Sequence, residues 1–97
     1  MVSTPAEIIE ELAQELHYPK DLIMKESLKV FLEGQLRRVK SDILHITGKY
    51  HVTSAEDMEA RYKEGTMEEE DTWRDLERLD HLEYKRDYLT SLLKKLQ

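Results

Sequence analysis

Apolar residues recur along this chain at the 3.6-residue period of the α-helix, and breaks in that period mark out four segments. The first is announced by Thr4-Pro5-Ala6-Glu7. These supply a capping hydroxyl, a proline at the first helical position, where its missing N–H is no loss, and a glutamate at the third. Ile8, Ile9, Leu12, Ala13 and Leu16 then share one face. His17-Tyr18-Pro19 interrupts the pattern, because a residue before proline is pushed out of the α region. Pro19 is expected to restart it as the first residue of a second helix, with Asp21 third.

No proline follows before Tyr50, and Leu32, Leu36, Val39, Ile43, Ile46 and Tyr50 repeat at spacings of 4, 3, 4, 3 and 4, the seam of a coiled coil. Gly48-Lys49-Tyr50-His51-Val52 ends this helix. Thr53-Ser54-Ala55-Glu56 predicts a capping box for a short third helix that stops near Gly65, and Thr66-Met67-Glu68-Glu69 predicts another for a fourth helix running to Gln97. In that last helix Leu82, Leu89, Leu93 and Leu96 form a seam with Arg86 in one slot. Trp73, Leu76 and Leu79 drift onto a neighbouring face, and Tyr84, Tyr88 and Leu92 broaden it.

A second helix of this span is roughly 45 Å long, more than the diameter of a compact domain of this size, so it needs a long partner. The fourth helix supplies one. The pattern therefore predicts a single all-α domain over residues 1–97: a short helix, then a long antiparallel, coiled-coil-like hairpin with a short connecting helix. Residues 5–33 are expected to be dimerisation helices and 34–97 a projecting hairpin with an acidic connector. Ile8, Ile9, Leu12, Leu16, Leu22, Ile23, Leu28, Phe31 and Leu32 form the expected dimer interface, because so short a chain has too little of itself to cover them.

Composition narrows the chemistry. With 37% charged residues but only 3 Gly and 2 Pro, the chain is built for helices rather than turns. It has no cysteine, which removes a disulfide framework, a thiolate zinc site and a cysteine nucleophile together. A lean domain of 97 residues also leaves little room for an enclosed active site. No apolar run approaches the roughly 20 residues of a membrane span, and Met1–Pro5 lack the basic start of a signal peptide, so a cytoplasmic setting is expected. The formal charge of −6 is uneven. Residues 1–50 carry 7 basic and 8 acidic groups, whereas 51–97 carry 8 and 13, which suits a basic partner better than a nucleic acid.

Few residues are spaced for catalysis. His17, His45, His51 and His81 never pair at i, i+4 and read as surface or helix-end residues. No serine sits in a glycine-bracketed elbow, and no Gly-rich phosphate loop is present. Arg37-Arg38-Lys40 reads as the solvent face of the long helix. Glu56-x-x-Glu59, followed after 17 residues by Glu77-x-x-Asp80, resembles the magnesium-binding pattern of the MazG-type all-α nucleotide pyrophosphohydrolases. In a chain with 21 acidic residues it reads first as a solvated acidic face. For partner binding the expected residues are Glu68, Glu69, Glu70 and Asp71 with Trp73 as a buried anchor.

The run from Glu11 to Glu33, with Leu12, Leu16, Leu22, Ile23, Leu28, Phe31 and Leu32 at its apolar positions, resembles the helix–turn–helix half of ribbon-helix-helix antitoxins. The run from Lys49 through Gly65 to Trp73 resembles a tail found in small archaeal and bacterial proteins of antitoxin type, with His51 where glycine is usual. The resemblance implies a dimer core and binding to a toxin. It does not carry over the DNA-reading amino-terminal strand, since only four residues precede the first helix, and whether DNA is bound stays open. The expected function is thus a non-catalytic protein-interaction module without cofactor or metal, an antitoxin-like homodimer binding a basic protein. The alternatives are a structural or adaptor coiled coil with no toxin link and a Mg-dependent nucleotide pyrophosphohydrolase.

Overall fold

The computed structural model describes residues 2–65 and 70–97, with side chains on α4 described from residue 72 onward. The chain is all-α: α1 (Pro5–Leu16), α2 (Lys20–Tyr50), α3 (Ala55–Lys63) and α4 (Glu70–Leu96). None of the described helices is long and apolar enough to cross a membrane. α2 and α4 pair along their length as the expected hairpin, with α3 lying against α4 and α1 against the start of α2.

The first capping box is present as the sequence predicts: Glu7 N–H donates to Thr4 Oγ1 (3.2 Å) and the Glu7 carboxylate accepts from Thr4 N–H. The next start differs by one position, since Pro19 is the N-cap of α2 rather than its first helical residue. Its extended backbone (φ −60°, ψ 135°) lies outside the helix, so Asp21 falls second instead of third. α3 also shifts by one. Ser54, not Thr53, is the cap, with Asp57 N–H donating to Ser54 Oγ (3.0 Å) and Thr53 N–H donating to the Asp57 carboxylate (2.9 Å). The capping sequence expected at Thr66–Glu69 lies outside the described residues.

α1 and α2 stop in the same way. His17 (φ 55°, ψ 40°) and His51 (φ 55°, ψ 43°) both turn left-handed, and the next residues, Tyr18 and Val52, donate back to Ala13 (3.1 Å) and Thr47 (3.0 Å). This is the position glycine normally takes at a helix end, so the turn forms at His51 with a histidine in glycine's place.

Among the described residues, every buried apolar one lies at or beyond Val39: Val39, Ile43 and Ile46 of α2, Val52, Ala55 and Met58, and Leu76, Leu79, Leu82 and Leu89 of α4. Leu32, Leu36 and Tyr50 pack against this core, completing the predicted seam. On α4 Leu93 and Leu96 are only part-covered, and Tyr84 and Tyr88 are exposed rather than broadening the seam. The closed end of the hairpin is pinned by Asp75, which accepts from the Tyr50 hydroxyl in a short hydrogen bond and from Lys49 Nζ at 3.1 Å. Tyr50 and Lys49 hold the Asp75 carboxyl below its ordinary value despite partial burial. Burial, then the hydrogen bond to Asp75, raises Tyr50.

The molecule is long and thin, 62 × 31 × 15 Å, with a radius of gyration of 19.8 Å. A compact chain of this length would have about 13 Å.

Candidate functional site

α3 lies along α4 in the opposite direction, fixed at both ends. At its start Ala55 N–H donates to Glu83 Oε2 (3.0 Å), and near its end the Tyr62 ring meets Trp73 with centroids 5.7 Å apart. Between these two ties Met58 is fully buried and seats α3 on the core. A cleft of about 420 Å³ opens along the other side of the pair. From α3 it is lined by Ala55, Glu56 and Glu59, and from α4 by Trp73, Leu76, Glu77, Asp80 and Glu83. The α4 residues fall at i, i+3, i+4, i+7 and i+10 from Trp73 and so share one helical face.

Five carboxylates thus surround a cleft with an apolar floor and a tryptophan at one end. Glu83 is engaged by the Ala55 N–H, and Glu59 pairs with Lys63 at 3.3 Å. Glu56, Glu77 and Asp80 have no ion pair among the described residues. An uncompensated negative cleft attracts a cation, and an indole face adds affinity for an ammonium or guanidinium group. The carboxylates are strung along the cleft rather than gathered at a point. Among the described residues no three acidic or histidine side chains are grouped so as to hold one metal ion.

The expected binding residues are placed unequally. Glu68 and Glu69 lie outside the described residues, and at Glu70 and Asp71 only the backbone, the first turn of α4, is described. Trp73 is 49% exposed, so it is a half-open wall of the cleft rather than the buried anchor expected, because α3 covers only one side of its ring. The acidic residues that share its cleft are Glu56, Glu59, Glu77 and Asp80, read from the sequence as an ordinary solvated face, together with Glu83, which the sequence reading missed. Their i, i+3 spacing was visible in the sequence. That two such pairs face each other is a product of how α3 folds back on α4.

Of the expected dimer residues, Ile8, Leu12, Leu16, Leu22, Leu28 and Phe31 are exposed and Ile9 and Ile23 part-covered. Leu32 is different: it packs against the chain's own core beside α4. His45 and His81 are exposed, and His17 and His51 are the two helix-end residues.

Fold and site together define a small helical-hairpin protein with an acidic, tryptophan-edged cleft on one flank. The chain matches the model of the Uncharacterized protein MJ0235 family over residues 1–97 and belongs to that family. No curated protein and no solved structure matches it.

Proposed function

We propose that the protein is a non-catalytic protein-interaction module that receives a basic segment of another protein in the cleft between α3 and α4. The observation that carries this reading is the convergence of Glu56, Glu59, Glu77, Asp80 and Glu83 with the half-exposed Trp73 on one cleft. A lysine or arginine side chain entering it meets carboxylates on both walls and an indole face at the end, while its methylenes cover Leu76. A small basic toxin, as the ribbon-helix-helix resemblance implies, is one partner of this chemistry.

The chain has a single tryptophan, so intrinsic fluorescence reports directly on the cleft. Titration with an arginine-rich peptide should shift Trp73 emission, with an affinity that falls steeply as salt is raised. Reversing Glu56, Glu77 and Asp80 to lysine should abolish the shift, whereas reversing Glu7, Glu11 and Glu15 on α1 should leave most of it. Equal loss from both triple variants would reduce the binding to net charge and overturn the assignment of the cleft.

The facing pairs Glu56/Glu59 and Glu77/Asp80 also favour a second reading, Mg-dependent nucleotide hydrolysis, which would require the carboxylates to draw together around an ion. That reading requires Mg²⁺ to raise the melting temperature and Glu59→Gln to cancel the rise.

A further inference from the structure

On a different surface from the acidic cleft, we propose that the apolar face of α1 and the first third of α2 is covered by a second copy of this chain, making the protein a two-fold dimer. α1 has no buried residue, although its stripe of Ile8, Leu12 and Leu16 is as apolar as a core helix would need. A helix of 12 residues is marginal in water on its own and draws its stability from the face it buries. α2 covers little of that face. Between the two helices runs a cleft of about 480 Å³ lined by Leu12, Leu16, Tyr18, Leu22 and Ile23, with Glu26 and Ser27 at its margin. Val30 and Phe31, three and four residues beyond Ser27, continue the α2 wall.

Two observations point to a second copy as the occupant. The first is area. Ile8, the exposed cleft residues, Val30 and Phe31 are each 40–68% exposed, which for side chains of this size leaves on the order of 100 Å² apiece. Their sum approaches the roughly 800 Å² that each partner contributes to a standard stable interface. The second is charge. α1 carries Glu7, Glu10, Glu11 and Glu15 and no basic residue, while Lys25 and Lys29 follow Leu22 along one edge of α2, with Glu26 between them. Glu10 already pairs with Lys20 within the chain at 3.2 Å. Glu11, Glu15, Lys25 and Lys29 make no ion pair among the described residues. An isologous contact sets the same patch against itself. An acidic rim on α1 and lysines on α2 make the patch self-complementary once α1 of one copy lies beside α2 of the other.

Light scattering on the full chain across micromolar concentrations tests this. The expected mass is twice the 11.6 kDa of one chain. Leu12→Asp with Leu16→Asp should return the single-chain mass while circular dichroism retains most of the helix, because the core beyond Val39 is untouched. A charge swap tests the geometry. Lys25→Glu/Lys29→Glu and Glu11→Lys/Glu15→Lys should each weaken self-association at least tenfold, and mixing the two variants should restore a dimer. A single-chain mass for the wild type, leaving the face to a different protein or a lipid surface, overturns the proposal. So does a dimer that survives Leu12→Asp/Leu16→Asp.

Discussion

α1 and α2 end with the same turn in opposite surroundings. After His51, Val52 is folded into the core and 6% exposed; after His17, Tyr18 occupies the equivalent position and is 54% exposed. This left-handed helix stop usually comes with an apolar contact from the residue after it; Val52 makes it inside the closed core, whereas Tyr18 lines an open cleft with Leu12, Leu16 and Leu22. The contrast extends to both halves. Among the described residues the buried core lies entirely within 34–97, whereas 5–33 have similar apolar periodicity and bury no residue. The same amphipathic signal therefore marks a covered face in one half and an open one in the other.

The largest test of that contrast is truncation of matched leucines. Leu79, fully buried, should cost about 2–5 kcal/mol on substitution by alanine, through lost burial and the cavity left behind. Leu12→Ala should stay within about 0.5 kcal/mol in a dilute, monomeric sample. Urea unfolding of both variants checks this, and equal losses would erase the difference between the halves.

Removing the pin at the hairpin's closed end should cost less. Asp75→Asn weakens the acceptor for both Tyr50 and Lys49 and should lower stability by about 1–2 kcal/mol. The Asp75 carboxyl is lowered by the Tyr50 hydroxyl and Lys49, so its contribution is complete above the unfolded value of about 4 and is lost as pH falls through the depressed folded value. Tyr50 acts in the opposite sense. Raised by burial and by its bond to Asp75, it contributes fully below about 10 and loses that contribution as pH climbs through the raised folded value. Melting temperature against pH should thus fall off at both extremes in the wild type, with a shallower acid limb in Asp75→Asn.

The smallest effects are gains. His51→Gly removes a side chain from a left-handed position and should stabilise by about 1 kcal/mol. Gly48→Ala, in the last turn of α2 with nothing within 4 Å of an added Cβ, should add about 0.5–1 kcal/mol. Both act in the half that carries the core, so thermal unfolding of the whole hairpin should register them.

Much of the fold could be read from residue spacing. The seam from Leu32 to Tyr50, the capping box at Thr4 and Glu7 and the long hairpin all follow from local pattern. What escaped depends on long-range contacts. Thr53 and Ser54 are both cap-forming types, with serine the better of the two, and the cap falls at Ser54 in a structure where the Ala55 N–H is also held by Glu83, 28 residues away. The cleft was hidden for the same reason. Its acidic pairs were visible as spacings, but their apposition depends on α3 folding back with Met58 as its seat, and no local periodicity records that return.

The 62 Å length has a hydrodynamic consequence. A thin particle meets more friction than a sphere of equal mass, so a single chain will emerge early from a gel-filtration column and tumble slowly and anisotropically. Elution volume would then report one elongated chain and one compact pair as nearly the same object. Only a method that weighs the particle separates them.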